Sequence, residues 1–176
     1  MGGPKSRTLR EKHIIRNAEN EVTDTQYKRE LLFRKANGKR IQEDYLNKIR
    51  ALIRAEEVSY ETLGLELSDD ILRSPIFIHG EIISSTIRPS ELSEFIASAM
   101  LDGLGYYVYL DDDWKYCGAF GPVKPDQFRN DFQFGSAILN DIIFVAENFD
   151  HAIAMDYYEV AKQFHIDITI HRNQAG

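Results

Sequence analysis

One cysteine, one tryptophan, three methionines and five prolines are all that this chain of 176 residues carries of those types. The lone cysteine, Cys117, excludes an intrachain disulfide and any zinc site built from several cysteines, and it fits a reducing compartment. No apolar run reaches the roughly 18 residues of a membrane-spanning helix, and the start, Met1 to Arg7, lacks the apolar core of a signal peptide. There is no Gly-rich phosphate loop, no Gly-x-Ser-x-Gly elbow and no His-Glu-x-x-His. These absences lead to the expectation of a cytoplasmic protein with no cofactor and no metal, a non-enzyme sooner than an enzyme.

What is present is a strong division of charge. Residues 1–54 hold 14 Lys+Arg and 7 Asp+Glu, net +7, whereas residues 55–176 hold 7 and 21, net −14. The division suggests a basic N-terminal helical region, 1–57, and an acidic α+β domain, 58–176. Either the two halves serve two partners, or the basic arm docks on the acidic half of its own chain or of a second copy, which would make a homodimer.

Periodicity supplies the elements. Ser6 to Ala36 reads as a polar helix with a thin stripe at Ile14, Ala18 and Val22, and Asn37-Gly38 has the chemistry of a helix stop. A second helix from Lys39 to Glu57 carries Ile41, Tyr45, Ile49, Leu52 and Ile53 on one face, so the region is expected to be a helical hairpin. Val58 to Arg73 has a faint helix-turn-helix rhythm, but Asp69 and Asp70 would repel phosphate. Pro75 to Ile83 reads as a strand pair or one long bent strand, broken at Gly80, and Pro89 opens a helix with Leu92, Phe95, Ile96, Ala99 and Met100 inside. Tyr106 to Leu110, Asp111-Asp112-Asp113 and Trp114 to Cys117 read as a β-hairpin, and Asp131 to Gly135 as a further strand. The C-terminal part reads as a βαβ unit: a strand at 142–145, a helix from Asp150 to His165 with Ile153, Tyr157, Val160 and Phe164 on one face, and a strand at 166–170. The expected fold is a mixed sheet with a C-terminal βαβ unit behind an N-terminal helical hairpin.

Tyr107, Tyr109, Asp111, Asp112, Asp113 and Trp114 concentrate aromatic anchors around three carboxylates, a pattern suited to a protein partner with a basic surface. The same residues would serve equally as a solvated turn above a core, and the spaced ligands of a calcium loop are absent. Arg7, Arg10, Lys12, Arg16, Lys28 and Arg29 would be the nucleic-acid contacts if the basic arm lay along a phosphate backbone. On the last strand His165, Asp167, Thr169 and His171 share one face, with Ile166, Ile168 and Ile170 on the other. His165 and His171 stand about 20 Å apart along an extended strand, too far to hold one metal ion. Cys117 is expected to be a core thiol, not a nucleophile.

Tyr158-Glu159-Val160-Ala161-Lys162-Gln163-Phe164-His165-Ile166-Asp167-Ile168-Thr169-Ile170 resembles the last helix and strand of the barstar family of ribonuclease inhibitors, which are small acidic α/β proteins. The resemblance covers under a tenth of the chain, and that family's acidic inhibitory helix has no counterpart here. It implies an inhibitor. The first functional expectation is therefore a non-enzymatic acidic module that masks a surface of another macromolecule, as immunity proteins, antitoxins and phage-encoded inhibitors do. A nucleic-acid-associated regulator using residues 1–54 is the second expectation, and an enzyme with an unrecognised site the third.

Overall fold

The structure, a computed structural model, describes residues 9–54, 61–129 and 140–173, with side chains from residue 23 onward. It is an α+β fold built on one seven-stranded sheet in the order β1-β4-β3-β5-β6-β7-β2, with every neighbouring pair antiparallel. The strands are β1 (Glu61–Thr62), β2 (Glu81–Ile87), β3 (Tyr106–Leu110), β4 (Phe120–Val123), β5 (Asp141–Ala146), β6 (His151–Val160) and β7 (Gln163–Arg172). The helices are α1 (Leu9–Leu52), α2 (Leu65–Leu72), α3 (Pro75–His79), α4 (Leu92–Ala99) and α5 (Trp114–Cys117).

The expected helical hairpin is instead one continuous helix of 44 residues. Along it Leu31, Arg34, Gly38, Ile41, Tyr45, Lys48 and Leu52 alternate by three and four, the spacing of one helical face, and the seam runs unbroken through the supposed stop. Gly38 serves a different need. A Cβ there would lie 2.3 Å from the Tyr116 carbonyl oxygen, so the missing side chain lets α1 and α5 touch backbone to backbone. Asn37 turns its side-chain amide back to the Phe33 carbonyl at 2.9 Å, a bond compatible with helix interior.

The expected βαβ unit is an antiparallel meander of β5, β6 and β7. Residues 151–160, expected to be helical, form β6, and Val160 faces Gln163 across a two-residue turn at Ala161 and Lys162. Both turn residues have positive φ, 51° and 66°, the geometry that matches hairpin twist but usually takes Asn or Gly. Helical and alternating patterns coexist in this segment, and the neighbours decide between them. β5 and β7 are rich in β-branched residues and offer hydrogen-bonding edges on both sides, which overrides local helix preference. Tyr158 to Ile170 is thus a β-hairpin, so the helix-strand correspondence with the barstar family does not hold in three dimensions. Asp150 sits in the turn before β6 and caps no helix.

The aromatic hairpin is corrected likewise. β3 does pair with a following antiparallel strand, but that strand is β4; Trp114–Cys117 coil into α5, whose amides bond back to the Asp112 and Asp113 carbonyls. Gly118, at φ 83°, ends the turn and releases the chain into β4. The Pro75–Ile83 strand divides into α3, with Pro75 in its first turn, and β2 after Gly80. The helix beginning at Pro89 is present as a 3₁₀ turn followed by α4. The Asp131 to Gly135 strand lies outside the described residues.

Two apolar layers hold the sheet. On one face Tyr45, Ile49 and Leu52 of α1 and the adjoining Ile53, with Leu92 and Met100 around α4, pack on Val108, Phe144, Ile153, Met155, Ile166 and Ile168. On the other, Ile71 of α2 and Ile76 of α3 cover Tyr109, Val145 and Ala152. The last turns of the basic arm are therefore part of the core of the acidic part. Among the described residues no helix is long and apolar enough to cross a membrane.

A candidate binding face on the sheet

The six residues expected to meet a partner are mostly engaged internally. Tyr109 is 1% exposed and donates its hydroxyl to the Ser68 carbonyl at 2.9 Å. Burial, with Asp69 nearby, pushes that phenol well above its ordinary range. Trp114 stands edge-on to Tyr109, at 5.1 Å between ring centroids, with the Arg34 guanidinium over its ring. Tyr107 is half-buried and stacks on Phe149.

The three carboxylates that follow differ from one another. Lys48 reaches Asp111 at 2.5 Å and Asp113 at 2.7 Å, and Asp111 also accepts the backbone N–H groups of Asn140 and Asp141. Only Asp112 stands well into solvent, in an ion pair with Lys115 at 2.6 Å. The cluster is a clamp joining α1 to the β3–α5 turn and the start of β5.

Of the six cations expected to meet nucleic acid, Arg7 lies outside the described residues, and the side chains of Arg10, Lys12 and Arg16 do too. Lys28 is exposed and paired with Asp24 at 2.6 Å, one helical turn before it, and Arg29 is exposed. Further along α1, Arg34 turns inward, while Lys35, Lys39, Arg40 and Arg50 stay exposed. Arg34 makes a bidentate pair with Asp69 at 2.7 and 3.0 Å, and Lys35 meets Glu66 at 3.2 Å. Tyr27 donates to the same Asp69 carboxylate at 2.8 Å. Burial acts to raise the Asp69 carboxyl, but the Arg34 and Tyr27 hydrogen bonds outweigh it and hold the group below the ordinary aspartate range.

The exposed chemistry lies on the sheet. β7 alternates as its sequence implies, with Ile166 and Ile168 buried and Asp167 exposed. Because residues 151–160 are a strand, Asp156 of β6 stands directly opposite Asp167 and also directly opposite Asp141 of β5. Thr86 of β2 completes the row on the far side of Asp167. Directly opposite residues in antiparallel strands keep their Cβ atoms roughly 5 Å apart and on one face. Three carboxylates thus line up across three strands, in a part of the sheet that α2 and α3 leave open.

The electrostatics of the row follow. The Asp141 carboxyl is pushed up to about 6, first by partial burial, then by its hydrogen bond and repulsion with Asp156, with Asp111 and Asp112 adding to it. Asp167 is held by the Thr86 hydroxyl at 2.6 Å and the Tyr158 hydroxyl at 3.1 Å. Tyr158 stacks on His165 at the flank. None of the ion pairs among the described residues involves Asp141, Asp156 or Asp167. Nor, among those residues, do three His, Cys, Asp or Glu side chains converge as metal ligands would.

The polar face of β7 is therefore divided. His165 and Asp167 remain accessible, while His171 lies under Phe77 of α3 at 5.1 Å between rings, its Nδ1 without a hydrogen-bond partner. Burial pushes the His171 imidazole below its ordinary range. Asp141 and Asp156 are the residues that sequence reasoning missed. Their alignment with Asp167 depends on the β5–β6–β7 register, and a helix at 150–165 would have scattered them. No protein-family model matches this chain, and neither the curated proteins nor the solved structures hold a match to it.

Proposed function

We propose that this protein is a non-enzymatic binding module whose acidic sheet face covers a basic surface of another protein. The observation that carries the reading is the row Asp141, Asp156 and Asp167. Like charges placed directly opposite one another on neighbouring strands work against the fold. The best-buried carboxylates are neutralised, Asp69 by Arg34 and Asp111 and Asp113 by Lys48. A row with no ion pair among the described residues, beside Tyr158 and His165, suits cations brought by a partner. Such a surface steers association and sets specificity more than it supplies raw affinity. Masking of this kind is how cytoplasmic immunity proteins, antitoxins and inhibitors work, and this chain is proposed to act in their manner.

The test uses immobilised oligolysine as the probe for a basic surface. Wild-type protein is expected to be retained at low salt and released as the Debye length contracts to about 8 Å near physiological ionic strength. The variant Asp156→Asn/Asp167→Asn is expected to elute early while melting at or above the wild-type temperature. Equal retention of the two proteins, or no retention of wild type at low salt, would overturn the reading.

A further inference from the structure

Among the described residues β2 is the sheet's long free edge. Its seven residues pair with β7 from Glu81↔Arg172 to Ile87↔Ile166 without a register shift, and residues 81–86 are all exposed. The opposite edge is the two-residue β1, too short to offer a template. An unpaired edge presents a row of N–H and C=O groups to solvent, and monomeric proteins commonly blunt it with lysine, proline, a bulge or a covering element. Glu-Ile-Ile-Ser-Ser-Thr-Ile has no lysine, no proline and no bulge. It is rich in the β-branched residues that favour cross-strand pairing.

The apolar surface concentrates at the same place. Ile78 at the end of α3, Ile82 and Ile83 are 63%, 60% and 39% exposed within six consecutive residues. Charge identifies the occupant. From Ile82 to Ile87 the strand is uncharged, so two copies can meet there although each carries −7 overall. Glu81 precedes this stretch and the exposed Arg88 follows it, so antiparallel alignment of two identical strands brings the acidic end of each strand to the basic end of the other, with Glu81 opposite Ile87 and Arg88 the next residue along. A two-fold axis near Ser84 satisfies both ends at once, as an isologous interface requires. We infer that β2 pairs with β2 of a second copy, joining two sheets into one across a two-fold axis.

Sedimentation and hydrogen exchange, each over a concentration series, test the inference. The mass is expected to rise from 20.3 kDa toward twice that value. Over the same range the amides of 81–87 should gain protection. Ile82→Lys and Ser84→Lys should stay monomeric at concentrations where wild type is dimeric, with wild-type circular dichroism showing that the monomer still folds. Glu81→Arg alone should weaken the dimer and Glu81→Arg/Arg88→Glu should restore it. A wild-type protein that remains monomeric at several hundred micromolar overturns the inference. So does a dimer that survives Ile82→Lys, or one that forms without protecting 81–87.

Discussion

Removal of the Asp69 carboxylate is the most direct probe of how the basic arm is joined to the rest of the chain. Arg34 and Asp69 each keep only 9% of their side-chain surface exposed, and their two hydrogen bonds are aligned in parallel. Arg34 also donates through Nε to the Lys115 carbonyl. Asp69→Ala would leave a guanidinium in that nearly closed setting without its bidentate acceptor, with the Lys115 carbonyl, the Trp114 ring and the more distant Glu30 carboxylate as company. Breaking one side of a buried pair costs about 3–5 kcal/mol, since the remaining charge stays desolvated. For a chain of this length each kcal/mol moves the melting temperature by about 2–4 °C, so a fall of about 10 °C is expected.

Replacing both partners, as in Arg34→Met/Asp69→Leu, should return most of the loss, because no charge is then stranded. The pH dependence has a definite sign. Asp69 is held below its unfolded value of about 3.9, so its contribution is complete above that pH and is lost as pH falls through the lower, folded value. Denaturant unfolding at pH 7 and pH 3 measures both effects. A cost under about 1 kcal/mol for Asp69→Ala, or losses that simply add in the double variant, would refute the claim that this pair is buried and fastens α1 to α2.

Two further outcomes are expected. Gly38→Ala should lower the melting temperature: helix propensity alone favours alanine by about 1 kcal/mol, but the new Cβ would collide with the Tyr116 carbonyl, so an unchanged or raised value would mean α5 does not rest on α1. Asp141→Asn should stabilise the protein at pH 8. That advantage should fade as pH drops through about 6 and vanish below about 4, since the wild-type carboxyl takes up its proton in the folded state first; a gain constant from pH 8 to pH 4 would contradict the shared-row electrostatics.

Some of this fold could be read from the chain alone. The aromatic run of β3, the apolar run of β5, the Pro89 helix start and the alternation of β7 each had one dominant period and one available partner layer. β6 had two. Ile153, Tyr157, Val160 and Phe164 satisfy a helical stripe, while Ile153, Met155 and Tyr157 satisfy a strand, and only the edges offered by β5 and β7 settle which is used. Gly38 was ambiguous for another reason. Glycine ends helices and also permits close approach, and the sequence does not show that Tyr116 will arrive there. The acidic row was hidden by the same error as β6: Asp167 could be placed on a polar face, but its alignment with Asp156 and Asp141 is a fact of register, which no single strand carries.

The order of strands in the sheet also says something about how the molecule assembles. Tyr158 and Asp167 meet across a hairpin only nine residues apart in the chain, whereas Thr86 reaches Asp167 from eighty-one residues away. The β5–β6–β7 meander closes short loops and can form early; β2 must bring in a distant segment and, within one copy, pairs on one side among the described residues. β2 is therefore expected to dock late and to open first in native-state fluctuations. When it leaves, it takes Thr86 from Asp167 and uncovers the edge of β7, so the stability of this one strand governs how often the interior of the sheet's C-terminal half meets water.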